Sequence, residues 1–278
     1  SFKILFHKCK IIRKKMEMRY NVYGTKDTKI ISKIEKDFLS FSDSYKVNQW
    51  TIPALIDGNI LRKCGYFNTM PHQLTIAGHF TEKERTEIEP DVLSKIPNCA
   101  TDGYFFTPAA CIHLYPHIKD TNIYNELITT YARVYRYENG HYEQGRRLWD
   151  FGVREFVAVG SQEYVKGFLN DFKEKALEYA KNLGIAAYLK KANDHFYPSR
   201  ENKIIEKLQQ ANDLKTELMT SVNNKELAIA SFNYHKYHFS KLFEFDKDEK
   251  IVTGCVGFGL DRWVYLLKDL EDNKCVEK

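Results

Sequence analysis

Near its C-terminal end the sequence reads Thr253-Gly-Cys-Val-Gly-Phe-Gly-Leu-Asp-Arg262. Gly257 and Gly259 let a backbone approach a ligand closely, and Arg262 adds a permanently charged fork in the first turn of the helix that follows. That arrangement suits phosphate. Cys255, just ahead of the first of these glycines, brings a thiol that can ligate a metal or react in the same cavity. A second group of chemically able residues lies upstream, in Arg136-Tyr-Glu138 and in Arg147-Leu-Trp-Asp-Phe151-Gly-Val-Arg-Glu155. Strand periodicity places Arg136 with Glu138 on one face, and likewise Phe151 with Val153 and Glu155. Arginines neutralise phosphates, a phenylalanine stacks on a base, and carboxylates bind an amine or a metal. Cross-strand ion pairing on a solvated face is the ordinary alternative for such a surface.

The elements that must position these residues follow from the apolar pattern. Residues 24–42 carry Ile30, Ile31, Ile34, Phe38 and Leu39 at helical spacing, and residues 51–80 mix short apolar runs with Pro53, Gly58, Gly65 and Pro71, as strands and turns do. A helix is predicted over Ile123–Tyr131, followed by a long antiparallel hairpin of Tyr131–Tyr137 and Leu148–Val159. Phe168, Phe172, Ala176, Leu177 and Ala180 mark a helix over Glu163–Leu183, and a second is predicted over Ser199–Met219 with Ser199 as its cap. Ala228–Phe245 and Lys250–Phe258 read as strands, before a closing helix from Asp261. Antiparallel strands with helices laid over them define an α+β fold.

The chain has 278 residues, 43% of them hydrophobic and 14% aromatic, which suits a packed core and excludes intrinsic disorder. The net charge of +5 is partly local, since Lys3, Lys8, Lys10, Arg13, Lys14 and Lys15 precede any acid. Residues 1–20 therefore read as a flexible basic segment, and 21–278 as one catalytic domain with a helical insertion at about 163–221. No stretch is long and apolar enough to span a membrane and no signal peptide is visible. The six cysteines are scattered without a Cys-x-x-Cys pair, which favours reduced thiols in a cytoplasmic protein. A metal site has to be assembled from distant segments.

The segments together resemble a known family. Arg136-x-Glu138, a loop, and then Arg147 and Phe151 resemble motif 2 of class II aminoacyl-tRNA synthetases, and the segment ending in Arg262 resembles their motif 3. More closely, the chain is similar to the amino acid:[carrier protein] ligases, truncated relatives of the atypical zinc-dependent seryl-tRNA synthetases. Gly65–Pro71, Pro108–Cys111, Ala192–Phe196, Leu214–Glu217 and Ala228–His235 carry that likeness in family order. The resemblance implies a class II synthetase-like antiparallel sheet flanked by helices. It further implies that Arg136 contacts the α-phosphate of ATP, Phe151 stacks on adenine, Arg262 packs against its other face or reaches the γ-phosphate, Arg147 holds the triphosphate, and Glu138 reads the adenine edge. Glu226 would hold magnesium, with Ser231, Asn233 and Gly259 lining the site. Cys111 and Cys255 match the two zinc thiolates of the family. Of two carboxylates, Glu138 and Glu155, position favours Glu155 as the third ligand, since it shares a strand face with Phe151 about two strand steps further on. Three ligands leave the fourth zinc position to a substrate amine.

The implied activity is formation of an aminoacyl-adenylate from a small amino acid, and its transfer to the phosphopantetheine thiol of a carrier protein. Charging of tRNA ranks second, because the chain shows neither a long coiled-coil arm nor a strong basic stripe; a non-catalytic nucleotide-binding paralogue ranks third. Dimerisation near residues 50–80 and carrier docking on 163–221 are further expectations. The chain departs from the family at His113, where a proline is usual, and at His195. Each histidine reads first as a packing or surface residue.

Overall fold

The computed structural model describes residues 20–82, 99–194, 196–211, 214–246 and 250–276. The basic segment before Tyr20 and His195 lie outside them. Apolar residues at helical spacing form α1 (Thr25–Ser40), which buries Ile34 and Phe38. Seven strands form the main sheet: β1 (Val47–Gln49), β2 (Glu126–Tyr135), β3 (Asp150–Gly160), β4 (Ala187–Lys191), β5 (Lys215–Val222), β6 (Lys225–Lys236) and β7 (Val252–Gly259). Their order is β1-β2-β3-β7-β6-β5-β4. Only the β1–β2 pair is parallel among them. Three further helices concern the site and its support: α2 (Gln162–Asn182), α3 (Arg200–Ala211) and α4 (Leu260–Val276). No described helix is long and apolar enough to cross a membrane.

Strand alternation divides the sheet into two faces. Phe156, Ala158, Val256 and Phe258 point to a helical layer of α1, α2 and α4, where they pack with Phe38, Phe168, Phe172 and Trp263. Phe38 stacks on Phe258 with ring centroids 4.2 Å apart, and Trp263 meets Phe38 edge-on at 5.3 Å. The Trp263 indole donates to the carbonyl of Ile229 at 2.9 Å, so its one polar atom is satisfied in the core. Val157, Val159 and Cys255 alternate to the other face, beneath Ile56, Leu61, Ile112, Leu114 and Tyr115. The site opens on that second face.

Four stretches fold differently from the sequence expectation. Ile123–Tyr131 is not helical: β2 runs through it from Glu126. Its first five residues are buried, so the alternation that betrays a strand is absent, and the β-branched run Ile128-Thr-Thr130 decides for extended backbone. The helix expected to reach Met219 ends at Ala211, and Lys215–Val222 is strand β5; the Ser199 cap is real, accepting from the Asn202 amide at 3.0 Å. The segment at 163–221 is thus two helices and two strands of the sheet, not a purely helical addition. The strand expected over Ala228–Phe245 ends at Lys236, where φ is +53°, and a short helix His238–Leu242 follows.

The Phe38–Phe258 stack predicts that Phe38→Ala, removing a fully buried ring, lowers stability by about 3–5 kcal/mol. Urea unfolding checks this through the shift of the midpoint at constant m.

Candidate functional site

The sheet face opposite the helices floors a cavity of about 580 Å³. Register explains its floor. Glu155 pairs with Gly257, Gly257 with Ser231, and Ser231 with Glu217, giving one row across β3, β7, β6 and β5. A neighbouring row runs Val157, Cys255, Asn233, Lys215. The side chains of one face stand in these rows because the strand period is two.

Cys111 joins the floor from outside the sheet, on a short turn over Cys111–His113. Its sulfur, the Cys255 sulfur and a Glu155 oxygen lie within 4.8 Å of one another, and all three residues are buried. Gly257 makes room for this set: a Cβ there would stand 2.9 Å from a Glu155 oxygen. The burial of the Glu155 carboxyl pushes its pKa up to about 7, against the hydrogen bond from Cys255 and the charge of Arg136. The hydrogen bond with Cys111, burial and the nearby Glu155 charge hold the Cys255 thiol well above its ordinary range. The Glu155 carboxyl and the Cys255 thiol so placed resist ionising together, and a bound dication removes that resistance. The donor set of two sulfurs and one oxygen fits zinc, leaving one tetrahedral position.

The other end of the cavity is cationic. Arg262 donates to the carbonyls of Arg146 at 3.0 Å and Ala228 at 2.8 Å, so its fork is fixed by backbone. Burial lowers its pKa to about 10, which leaves it charged at neutral pH. Asp261, next to it, serves the scaffold: it accepts from the Gly152 amide at 2.6 Å and the Tyr23 hydroxyl at 2.7 Å, pinning the start of α4 to β3. Arg136 donates to the Pro108 carbonyl at 2.9 Å, and its guanidinium lies 5.6 Å from the centroid of the Phe151 ring. Glu138 and Arg147 also line the cavity, but neither sits on a strand. β2 ends at Tyr135 and Glu138 has a left-handed φ of +52°, so the shared strand face expected for Arg136 and Glu138 does not exist. Arg147 belongs to the connecting loop, where its amide donates to the Glu143 carbonyl at 2.8 Å.

Of the remaining sequence candidates, Ser231, Asn233 and Gly259 line the cavity, and Glu226 does not. The Glu226 carboxylate is half exposed and lies 2.7 Å from Lys190. Glu217 lines the cavity where Glu226 does not, beside Lys215 at 3.4 Å; Lys215 also pairs with Asp194 at 2.7 Å. The signal for Glu217 was its two-residue spacing from Lys215, hidden while this stretch read as helix. His113 is a packing histidine, buried against the Thr107 hydroxyl at 2.7 Å, with burial drawing its pKa down to about 4.

This sheet, with a strand-to-helix junction delivering Arg262, has the fold of a class II aminoacyl-tRNA synthetase. The solved seryl-tRNA synthetase of M. kandleri, bound to A. aeolicus tRNASec, superposes with a TM-score of 0.65 at 17% identity, over 86% of this chain and 52% of that one. In sequence, the chain is 32% identical over 163 residues to amino acid–[acyl-carrier-protein] ligase 2 of Bradyrhizobium diazoefficiens, and 28% identical over 225 residues to ligase 1 of the same organism. It spans 48% of the first protein and 67% of the second, matching 56% and 76% of its own length. A type-2 serine–tRNA ligase of Methanococcus maripaludis is 27% identical over 173 residues, 58% of this chain and 34% of that protein. No protein-family model matches the chain. The chain is thus similar in sequence to amino acid–[acyl-carrier-protein] ligases and to type-2 serine–tRNA ligases, and in fold to a seryl-tRNA synthetase.

The two site glycines provide a contrast. Gly257→Ala is expected to displace the Glu155 carboxylate and weaken divalent metal uptake about tenfold or more. Gly259→Ala, whose Cβ meets only the Arg262 Cδ at 3.8 Å, leaves uptake unchanged. Chelator competition measures both.

Proposed function

We propose that the protein activates an amino acid with ATP as an aminoacyl-adenylate and passes it to the phosphopantetheine thiol of a carrier protein. One observation carries the reading. The buried Cys111–Glu155–Cys255 set opens into the same cavity as Arg136, Phe151 and Arg262, so an amine anchor and a phosphate clamp face one substrate volume.

Adenine lies on Phe151, with its edge toward Glu138, and Arg136 turns from the ring to the α-phosphate. Arg262 and Arg147 hold the rest of the triphosphate, and Glu217, rather than Glu226, would hold the accompanying magnesium. Cys111, Glu155 and Cys255 would hold zinc, which supplies an electrophilic anchor for a free α-amine. With its amine held, the amino acid directs its carboxylate at the α-phosphorus; the new oxygen–phosphorus bond forms as pyrophosphate leaves. The arginines offset charge on the phosphoryl oxygens, Arg262 without reorganising because two carbonyls already fix it. The carrier thiolate then attacks the carbonyl carbon, AMP leaves, and a thioester remains. No side-chain nucleophile is needed. A small amino acid is the expected substrate, and the exposed faces of α2 and α3 receive the carrier.

ATP–pyrophosphate exchange should depend on one small amino acid, and Arg262→Ala should slow it by roughly 10²–10³-fold. Absence of exchange with every standard amino acid contradicts the reading. The second reading, tRNA charging, rests on the type-2 serine–tRNA ligase matches. Intact-mass analysis of a phosphopantetheinylated carrier decides between them: an aminoacyl thioester, lost on charge reversal along α2, supports the first, and transfer to tRNA alone supports the second.

A further inference from the structure

Behind the Cys111–Glu155–Cys255 set stands a layer of polar groups that the proposed reaction does not use. His235, on β6, brings Nε2 to 3.6 Å from the Cys255 sulfur. Its Nδ1 lies 3.1 Å from the Thr253 hydroxyl and 3.2 Å from the Tyr115 hydroxyl. Asn233, two residues earlier on the same strand face, brings its amide nitrogen to 3.5 Å from the same sulfur. Cys255 thus has two nitrogen donors at its sulfur, both supplied by the strand paired with its own. Tyr115 is fully buried, is stacked on Phe239 at 3.9 Å, and also engages the Cys111 thiol.

His235 is not itself in the ligand set. Among the described residues, the atoms within 4.8 Å of one another belong to Cys111, Glu155 and Cys255 alone. The imidazole therefore acts through the sulfur. With Nδ1 accepting from the Thr253 hydroxyl, the single proton of the neutral ring is on Nε2, directed at Cys255. A thiolate that accepts N–H donors keeps its rotamer and part of its charge compensated, and outer-shell donors of this kind commonly change metal affinity 10–100-fold.

We propose that His235 is a positioning residue for the metal centre, donating from Nε2 to the Cys255 thiolate while Thr253 and Tyr115 fix its ring. This inference rests on the metal reading above. Its plain competitor is space filling, since the ring also packs edge-on against Phe239 at 4.9 Å. Two variants separate them. His235→Phe keeps an aromatic ring and loses both nitrogens; His235→Gln restores an N–H near the Nε2 position. Zinc affinity by chelator competition and the thiolate-to-cobalt charge-transfer band of the cobalt-loaded protein are the readouts. The Phe variant should fold with wild-type circular dichroism, bind zinc about 10–100-fold more weakly and shift the band, and the Gln variant should recover most of both. Wild-type affinity and an unmoved band in the Phe variant overturn the inference, as does a Gln variant no better than Phe. If the wild-type chain itself holds no zinc, the metal reading falls and this inference falls with it. Zinc held equally by wild type and both variants overturns only the role of His235.

Discussion

Burying two thiols and a carboxyl group within 4.8 Å of one another is unfavourable unless they stay protonated or share a cation. The rest of the site is arranged around that constraint. Register sets Glu155 opposite Gly257, and the missing Cβ of Gly257 leaves the carboxylate its place. Cys255 stands one strand step away on the same face, and Cys111 is lowered onto it by a turn whose neighbours Ile112, Leu114 and Tyr115 are packed against the sheet. Two of the three groups thus sit on strands in the middle of the sheet and the third on a well-packed turn. Positions of this kind hold side-chain geometry better than mobile loops do.

The phosphate end is built on a different principle. Arg262 gains its place from the first turn of α4, which Asp261 anchors to β3 and Trp263 anchors to the helical core. Its two carbonyl partners leave the remaining donors of the guanidinium for a ligand. Arg147 comes from the loop between β2 and β3, and among the described residues its guanidinium has no such tether. The cavity therefore combines two arginines held by backbone carbonyls, Arg136 and Arg262, with the exposed Arg147 of the loop.

Much of this was legible because strand alternation is an exact period. Phe151, Val153 and Glu155 were placed on one face from sequence, and they line the cavity together. Elsewhere the period failed for physical reasons. β2 is buried on both faces over its first five residues, so it carries no alternation and imitates a buried helix. β5 follows α3 so closely that its apolar residues extend the helical pattern, and Glu217, named within the Leu214–Glu217 likeness, was given no role. Glu226 was plausible only while the turn between β5 and β6 was unknown. Lys190 on the edge strand β4 occupies it instead. His235 could not be read as a partner of Cys255, because the contact depends on antiparallel register and on Tyr115, 120 residues earlier. The chemistry-bearing types were visible in the chain, while the long-range pairings that give each a neighbour were not.

The most direct test of the account is X-ray absorption at the zinc edge on the purified protein, with and without its amino acid. The account predicts one zinc bound by two sulfurs at ~2.3 Å and by lighter nitrogen or oxygen atoms at ~2.0–2.2 Å, with the light-atom shell altered when the amino acid is added. A zinc shell without sulfur, or one indifferent to every amino acid that supports exchange, would contradict it.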